Sequence, residues 1–222
     1  MALATSALAK SLKKAQGIVG HPLTADGCWF ERRNAVAPAR ESCGLFLDRD
    51  GVIIEDEHYL SDPKKVRLIP GAREALVVAR AKGWHVALVT NQSGIGRGMY
   101  GWNEFAAVQA AMMAALGDAA ATIELVAACP HYPNHPWRKP EPGMIQAALQ
   151  VLGANPAKSW MVGDKAADLM AARAAKLTGG FLVGTGEGRS ERAGAMACNG
   201  NGFTMRSIDS IAALVPWLKG TC

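Results

Sequence analysis

Charged residues make up only 19% of the 222 residues and aromatic residues 6%, while half of the chain is hydrophobic. A chain so poor in charge and so rich in apolar side chains is neither a solvated disordered tract nor a charge-laced coiled coil. No uninterrupted apolar run approaches ~18 residues, so neither a membrane-spanning helix nor a membrane partner is expected. The five cysteines (Cys28, Cys43, Cys129, Cys198, Cys222) are odd in number and include no C-x-x-C pair, which excludes a disulfide framework. They are read as thiols of a cytoplasmic protein. Acidic residues are missing before Asp26. The formal charge of +5 is concentrated there: residues 1–40 hold six basic and two acidic side chains, whereas the remainder holds 18 and 17. The basic excess therefore says little about the folded body, and no nucleic-acid partner is expected. Met1 to Gly20 is Ala-rich and carries lysine, but it has no arginine and no secretory apolar segment, so it is read as a plain N-terminal helix or arm rather than a targeting segment. The organisation expected is an N-terminal extension over 1–40 and one monomeric domain over 41–222.

Beyond residue 40, strand-length apolar runs alternate with Ala-rich helical patterns. Strands are predicted at Gly44–Asp48, Trp84–Thr90, Ile123–Cys129, Ser159–Gly163 and Phe181–Val183. Helices are predicted at Gly71–Lys82, Asn103–Leu116 with Asn103 as N-cap, Pro142–Leu152, Ala166–Ala175 and Ser207–Leu218. The strands are continuously apolar rather than alternating, which implies burial on both faces. The fold class predicted is α/β, a doubly wound, Rossmann-like parallel sheet, whose ligands bind beyond the carboxyl ends of the strands.

The polar residues at those ends form a set. The first strand ends in Asp48-Arg49-Asp50-Gly51, the second in Thr90-Asn91-Gln92-Ser93-Gly94, and the fourth in Gly163-Asp164-Lys165 with Asp168 one turn later. The loop after the third strand holds Arg138-Lys139-Pro140. Carboxylates converging from separate strands repel one another unless a cation lies between them, and oxygen ligands at a phosphate site suit Mg²⁺. Asp48, Asp164 and the Asp50 carbonyl are the candidate metal ligands. Asp48 is the candidate nucleophile, forming an aspartyl-phosphate, and Asp50 the candidate acid and then base. The Thr90 hydroxyl and Lys139 ammonium would bind the equatorial phosphate oxygens. Asp168 would orient its neighbours. A non-catalytic, phosphate-binding module of the receiver type is the competing reading, and Asp50, an acid/base two residues from the nucleophile, argues against it. Gly184–Gly188 (GTGEG) lacks the G-x-G-x-x-G spacing and is read as a loop. Trp29 and Phe30 are read as anchors that pack the extension against the domain, and Arg97 as either exposed or facing a second phosphate.

The four segments LFLDRDG, LVTNQSG, RKPEPGM and MVGDKAAD resemble, in order, the four motifs of the haloacid dehalogenase-like phosphatases. DEHYLSDP and TNQSGIGRG are similar to the branch containing heptose 1,7-bisphosphate 7-phosphatases and histidinol phosphatases, and closer to the former. The resemblance covers about residues 44–186. It implies a capless fold, which agrees with the 40 residues between Asp50 and Thr90 and the 49 between Thr90 and Lys139. It implies a small phosphorylated sugar as substrate, with Mg²⁺ as cofactor; histidinol phosphate and a nucleic-acid 3′-phosphate are the alternatives. By the same resemblance, substrate contacts fall at Asp56, Glu57, His58 and Tyr59, at Asn91, Gln92 and Ser93, and at Arg138 and Lys165. The family often holds structural zinc through C-x-H followed by C-x-C. Here Cys129, His131 and His135 stand in that region but the second cysteine pair is missing, so the resemblance implies zinc only weakly.

Overall fold

A computed structural model describes residues 21–34 and 42–220. The expectations for Met1–Gly20 and Cys222 lie outside the described residues. A seven-stranded sheet runs through the molecule in the order β1-β4-β3-β2-β5-β6-β7. The strands are β1 (Trp29–Arg32), β2 (Gly44–Leu47), β3 (His85–Asn91), β4 (Ile123–Cys129), β5 (Trp160–Gly163), β6 (Gly179–Val183) and β7 (Thr204–Ile208). All neighbours are parallel except β1, which pairs antiparallel with β4.

The parallel order requires crossovers, and the helices supply them. They are α1 (Ala72–Ala81), α2 (Ser93–Gly96), α3 (Trp102–Leu116), α4 (Gly143–Leu152), α5 (Ala166–Ala174), α6 (Arg192–Met196) and α7 (Leu214–Lys219). Successive strand side chains point to opposite faces, so Leu45 and Leu47 of β2 join one core with Leu76 of α1, Phe105 of α3 and Leu218 of α7. Phe46 joins a second core with Met144 of α4 and Leu169 of α5. Both faces are thus covered, as the unbroken apolar strands required. Among the described residues no inserted cap domain interrupts these crossovers. The run Trp102–Thr122 is long and apolar enough to cross a membrane by length and composition, but its Phe105, Val108, Met112 and Leu116 are buried in the core.

Four expectations are corrected. The helix predicted over Ser207–Leu218 is instead β7, a 3₁₀ turn at Ile211–Ala213, and the short α7. Pro216 is the reason: it has no N–H to donate, so it is tolerated in the first turn of α7 but not deep inside a twelve-residue helix. Asn103 does not cap α3. The helix starts at Trp102, the Glu104 carboxylate accepts the Gly101 N–H at 2.8 Å, and Asn103 instead bonds His21. The boundary expected at residue 40 falls inside one sheet, because β1 comes from the expected extension. Trp29 packs on Trp102 and Phe105, and Phe30 on Trp137, so these two aromatics anchor that strand. Finally, Cys43 is disulfide-bonded, whereas Cys28, Cys129 and Cys198 are free.

Candidate active site

The carboxyl ends of β2, β3 and β5 open into a cleft of about 230 Å³. Asp48 leaves β2 with its backbone N–H on the Val162 carbonyl of β5 at 2.9 Å, which fixes it against that neighbouring strand. Its Oδ1 accepts the Arg49 N–H at 2.8 Å and the Lys139 ammonium at 3.1 Å. Lys139 is buried, and its Nζ also meets Asp168 Oδ1 at 2.5 Å and the Val89 carbonyl at 2.8 Å. An ammonium has three protons, and all three are placed. Burial alone would push Lys139 down, but Asp168 and Asp48 outweigh it and hold the ammonium above its ordinary value. Asp168 holds the Lys165 N–H at 3.0 Å through its other oxygen, so it closes the first turn of α5 as well.

Asp164 is fully buried at the end of β5. Its Oδ2 accepts the Glu187 N–H at 3.0 Å, while its Oδ1 is buried with no protein partner. Two glycines press on it. A Cβ at Gly51 (φ 77°) or at Gly186 (φ 57°) would lie 2.5 Å or 2.3 Å from Asp164 Oδ2. Burial, then the charge of Asp48 and Asp168, pushes Asp164 up to about 8. Asp48 is pushed up to about 6, mainly by burial, with Lys139 opposing and Asp168 and Asp50 adding. Asp48, Asp164 and Asp168 offer carboxylate oxygens within 4.8 Å of one another, all buried. Three clustered, buried carboxylates, of which Asp48 and Asp164 are raised chiefly by burial and then by neighbouring charge, with one orphaned oxygen, are the donor set that a hard divalent cation fits.

Asp50 is held by its neighbours. The Arg49 guanidinium, buried against Phe105, donates to both Asp50 oxygens, its Nη2 reaching Oδ2 at 2.9 Å. Gln92 Nε2 donates to Asp50 Oδ2 and to Thr90 Oγ1, each at 2.9 Å, and Gln92 Oε1 accepts from Arg49 at 3.1 Å and from the Tyr100 hydroxyl at 2.6 Å. Tyr100 is itself pushed up to about 12 by burial, with Arg49 opposing, and so stays a donor. Asn91 also lines the cleft. Its amide clamps the Lys139 backbone, accepting at 3.0 Å and donating at 2.9 Å.

At the mouth, Asp56, His58, Tyr59, Ser93 and Lys165 line the cleft, whereas Glu57 is exposed outside it. His58 and Tyr59 both sit at positive φ (41° and 56°), a conformation that non-glycine residues hold only when their surroundings impose it; the Asp56 carboxylate accepts the His58 N–H at 3.0 Å. Lys165 pairs with Glu187 at 2.9 Å, and burial notwithstanding it is held above its ordinary value by that partner. Arg138 does not line the cleft. Its guanidinium donates to the His131 carbonyl at 3.2 Å and lies 5.2 Å from the Tyr132 ring, with Arg97 3.7 Å from the same ring.

The three residues weighed as zinc ligands do not all come together. His135 Nδ1 approaches Cys129 Sγ at 3.8 Å, but His131 turns its Nε2 to the Asp26 carbonyl at 2.7 Å, and Cys28 takes the vacated position. Sequence reasoning missed Arg49, Tyr100, Glu187 and Cys28. A guanidinium beside a carboxylate reads as a solvated pair, and Glu187 reaches Asp164 through its backbone N–H, which carries no residue signature.

A family model described as HAD-hydrolase-like matches residues 136–209. The chain is 41% identical over 172 residues to the D-glycero-beta-D-manno-heptose-1,7-bisphosphate 7-phosphatase of Mesorhizobium japonicum, covering 73% of this chain and 79% of that protein. It is 34% identical over 183 residues to the enzyme of that name from Pasteurella multocida, covering 79% and 97%. Among solved structures, a HAD-like phosphatase from Mesorhizobium loti superposes with a TM-score of 0.79 at 36% identity, covering 90% of this chain and 97% of that one. The D,D-heptose 1,7-bisphosphate phosphatase of B. bronchiseptica, complexed with magnesium and phosphate, gives 0.71 at 31% identity, covering 80% and 98%. The chain therefore belongs to the haloacid dehalogenase-like hydrolases, in the branch whose named members are the heptose 1,7-bisphosphate 7-phosphatases, and it is a phosphatase.

Proposed function

We propose that the protein releases the 7-phosphate of D-glycero-D-manno-heptose 1,7-bisphosphate through an aspartyl-phosphate on Asp48, with Mg²⁺ as cofactor. The observation that carries this reading is the cluster of Asp48, Asp164 and Asp168 around an unpartnered, buried Asp164 Oδ1, with Lys139 completing it from above. Asp48 and Asp164 would hold the ion, since Asp168 is engaged by Lys139 and the Lys165 N–H. When bound, Mg²⁺ supplies charge neutralisation for the carboxylates and the phosphate.

The chain's own residues account for the remaining chemistry. The Asp48 carboxylate attacks phosphorus as the bond to the sugar oxygen breaks. Asp50 donates a proton to that oxygen, then takes one from the water that attacks phosphorus and frees Asp48. The Thr90 hydroxyl would donate to an equatorial oxygen, and the Lys139 ammonium, its protons held by Asp48, Asp168 and the Val89 carbonyl, would offset by proximity the charge that gathers there in phosphoryl transfer. Arg49 and Gln92 hold the Asp50 carboxylate in place through hydrogen bonds, a fit to its role as base in the second step. Sugar specificity falls to the open mouth, in the region of His58, Tyr59 and Lys165. The heptose substrate rests on the relatives that carry that name at 34–41% identity.

The test is phosphate release with Mg²⁺ from the two anomers of heptose 1,7-bisphosphate, histidinol phosphate and a 3′-phosphorylated oligonucleotide. The heptose bisphosphate is expected to give the highest kcat/KM, with turnover abolished in Asp48→Asn. A higher kcat/KM on either of the other substrates, or an active Asp48→Asn protein, overturns it.

A further inference from the structure

Gln92 is the first residue past β3, and its backbone is pinned at the carboxyl end of the sheet. Its N–H donates to the Cys129 carbonyl of β4 at 2.7 Å, and its carbonyl accepts the Ile95 N–H at 3.1 Å. The side chain lines the cleft but the residue is only 3% exposed. A primary amide has two protons and an oxygen with two lone pairs, and here the protein takes all four. Nε2 donates to Asp50 Oδ2 and to Thr90 Oγ1, each at 2.9 Å. Oε1 accepts from Arg49 Nη2 at 3.1 Å and from the Tyr100 hydroxyl at 2.6 Å. The amide has one orientation that satisfies this set. A guanidinium only donates, so the amide oxygen must lie on the Arg49 side, and the two protons are then delivered to Asp50 and Thr90.

We infer that Gln92, turned by Arg49 and Tyr100, is a positioning residue that sets Asp50 and Thr90 relative to one another, and not one of the substrate contacts that the family resemblance implies. The inference rests on the roles proposed above for Asp50 as acid and then base and for Thr90 as a donor to phosphate. Asp50 serves the leaving oxygen only when its carboxylate is aimed there. Arg49 grips both of its oxygens, but it is the adjacent residue and moves with it. Gln92 ties the same carboxylate to the end of β3, the strand that carries Thr90. Thr90 gains from the same amide. A hydroxyl has one proton and two lone pairs, so accepting from Gln92 leaves the Thr90 proton for an acceptor such as a phosphate oxygen. One side chain thus fixes the spacing between a group that moves a proton and a group that binds the phosphate, and a displacement of ~1 Å in such a spacing costs on the order of 100-fold in rate.

Tyr100 lies outside the four motif segments, in the turn between α2 and α3. Its ring is seated against Gly94, where an added Cβ would collide with it, so this glycine is what lets the hydroxyl reach Gln92 Oε1. A phenylalanine at position 100 would fill the same space and leave Oε1 with Arg49 as its remaining donor.

The test uses the full-length protein with Mg²⁺ and whichever phosphate monoester the wild type turns over fastest, with Asp50→Asn as the reference. Gln92→Met keeps a similar volume and removes both donors. Its kcat is expected to fall on the order of 100-fold, with KM unchanged or lower. Tyr100→Phe is expected to lose about 3- to 10-fold in kcat, again without a rise in KM. Because Tyr100 acts through Gln92, adding Tyr100→Phe to Gln92→Met should change kcat by less than about twofold. In Gln92→Met, a KM raised about tenfold with kcat retained, or a kcat within about twofold of the wild type, overturns the inference, as does full additivity in the double variant. Asp50→Asn with wild-type turnover overturns instead the acid and base role on which the inference rests. Should thermal melting show that Gln92→Met does not fold, Tyr100→Phe decides: the expected loss in kcat supports the inference, and a raised KM with kcat kept, or no loss at all, contradicts it.

Discussion

At the scale of single residues, the site is held together by carboxylates kept apart from their ordinary behaviour. Asp48 and Asp164 sit at about 6 and about 8 against 3.8 for an unperturbed aspartate. Between those values the folded chain binds more protons than the unfolded one, so this contribution to stability is full below pH 3.8 and is lost as pH rises through the folded values. Metal-free protein is therefore expected to melt at progressively lower temperature from about pH 5 to about pH 8. Mg²⁺, which needs the ionised carboxylates, is expected to raise the melting temperature more at the upper end of that range. A Mg²⁺ effect independent of pH contradicts the assignment of Asp48 and Asp164 as ligands. These carboxylates were legible because aspartates at successive strand ends point to one edge of a parallel sheet whatever the details of packing. Arg49 was not legible in the same way, since nothing in Asp48-Arg49-Asp50 says that the arginine turns inward onto Phe105 and grips Asp50.

At the scale of elements, the loop after β6 does more than connect. GTGEG failed as a nucleotide motif by its spacing, yet it seals Asp164: the Glu187 N–H holds Oδ2, Thr185 Oγ1 donates to the Gly51 carbonyl at 2.6 Å, and Gly186 leaves no room for a side chain. Gly186→Ala is expected to lower kcat/KM on the order of 100-fold by displacing Asp164, with a stability loss of only about 1–3 kcal/mol. Gly83→Ala is the control, because Gly83 also has positive φ (76°) but nothing within 4 Å of an added Cβ. It should cost about 1 kcal/mol in denaturation and leave turnover unchanged. Equal activity losses in the two variants, read by phosphate release and thermal melting, contradict the role given to the loop. The strands β2 to β6 and the helices α1, α3, α4 and α5 were legible from continuous apolar runs and Ala-rich patterns. The short edge strand β7 was not, because its side chains are exposed or only partly buried and give no apolar run, and its parallel pairing with β6 is a contact that no local pattern records.

At the scale of the whole molecule, the basic N-terminal stretch is not an appendage throughout. The sheet takes β1 from it, and the pairing covers an edge of β4 that would otherwise be open to other chains. Trp29, buried against Trp102 and Phe105, should carry much of that attachment. Trp29→Ala is expected to cost about 3–5 kcal/mol in urea denaturation while kcat/KM stays within about twofold at temperatures where the variant is folded. A cost below about 1 kcal/mol would show that β1 adds little. Composition showed where the charge lay but not that Trp29–Arg32 pairs with the sheet, since antiparallel edge pairing is set by tertiary contacts. What the assembled sheet achieves is to bring Asp48, Asp50, Asp164 and Lys139 from separate strands and loops to one point, and the central claim is that Asp48 takes the phosphoryl group there. The most direct test is to quench the enzyme during turnover of heptose bisphosphate with Mg²⁺, reduce it with borohydride, which converts an aspartyl-phosphate to homoserine, and map the peptide. Homoserine at position 48 is the expected result; reduction at another residue, or none while phosphate is still released, contradicts it.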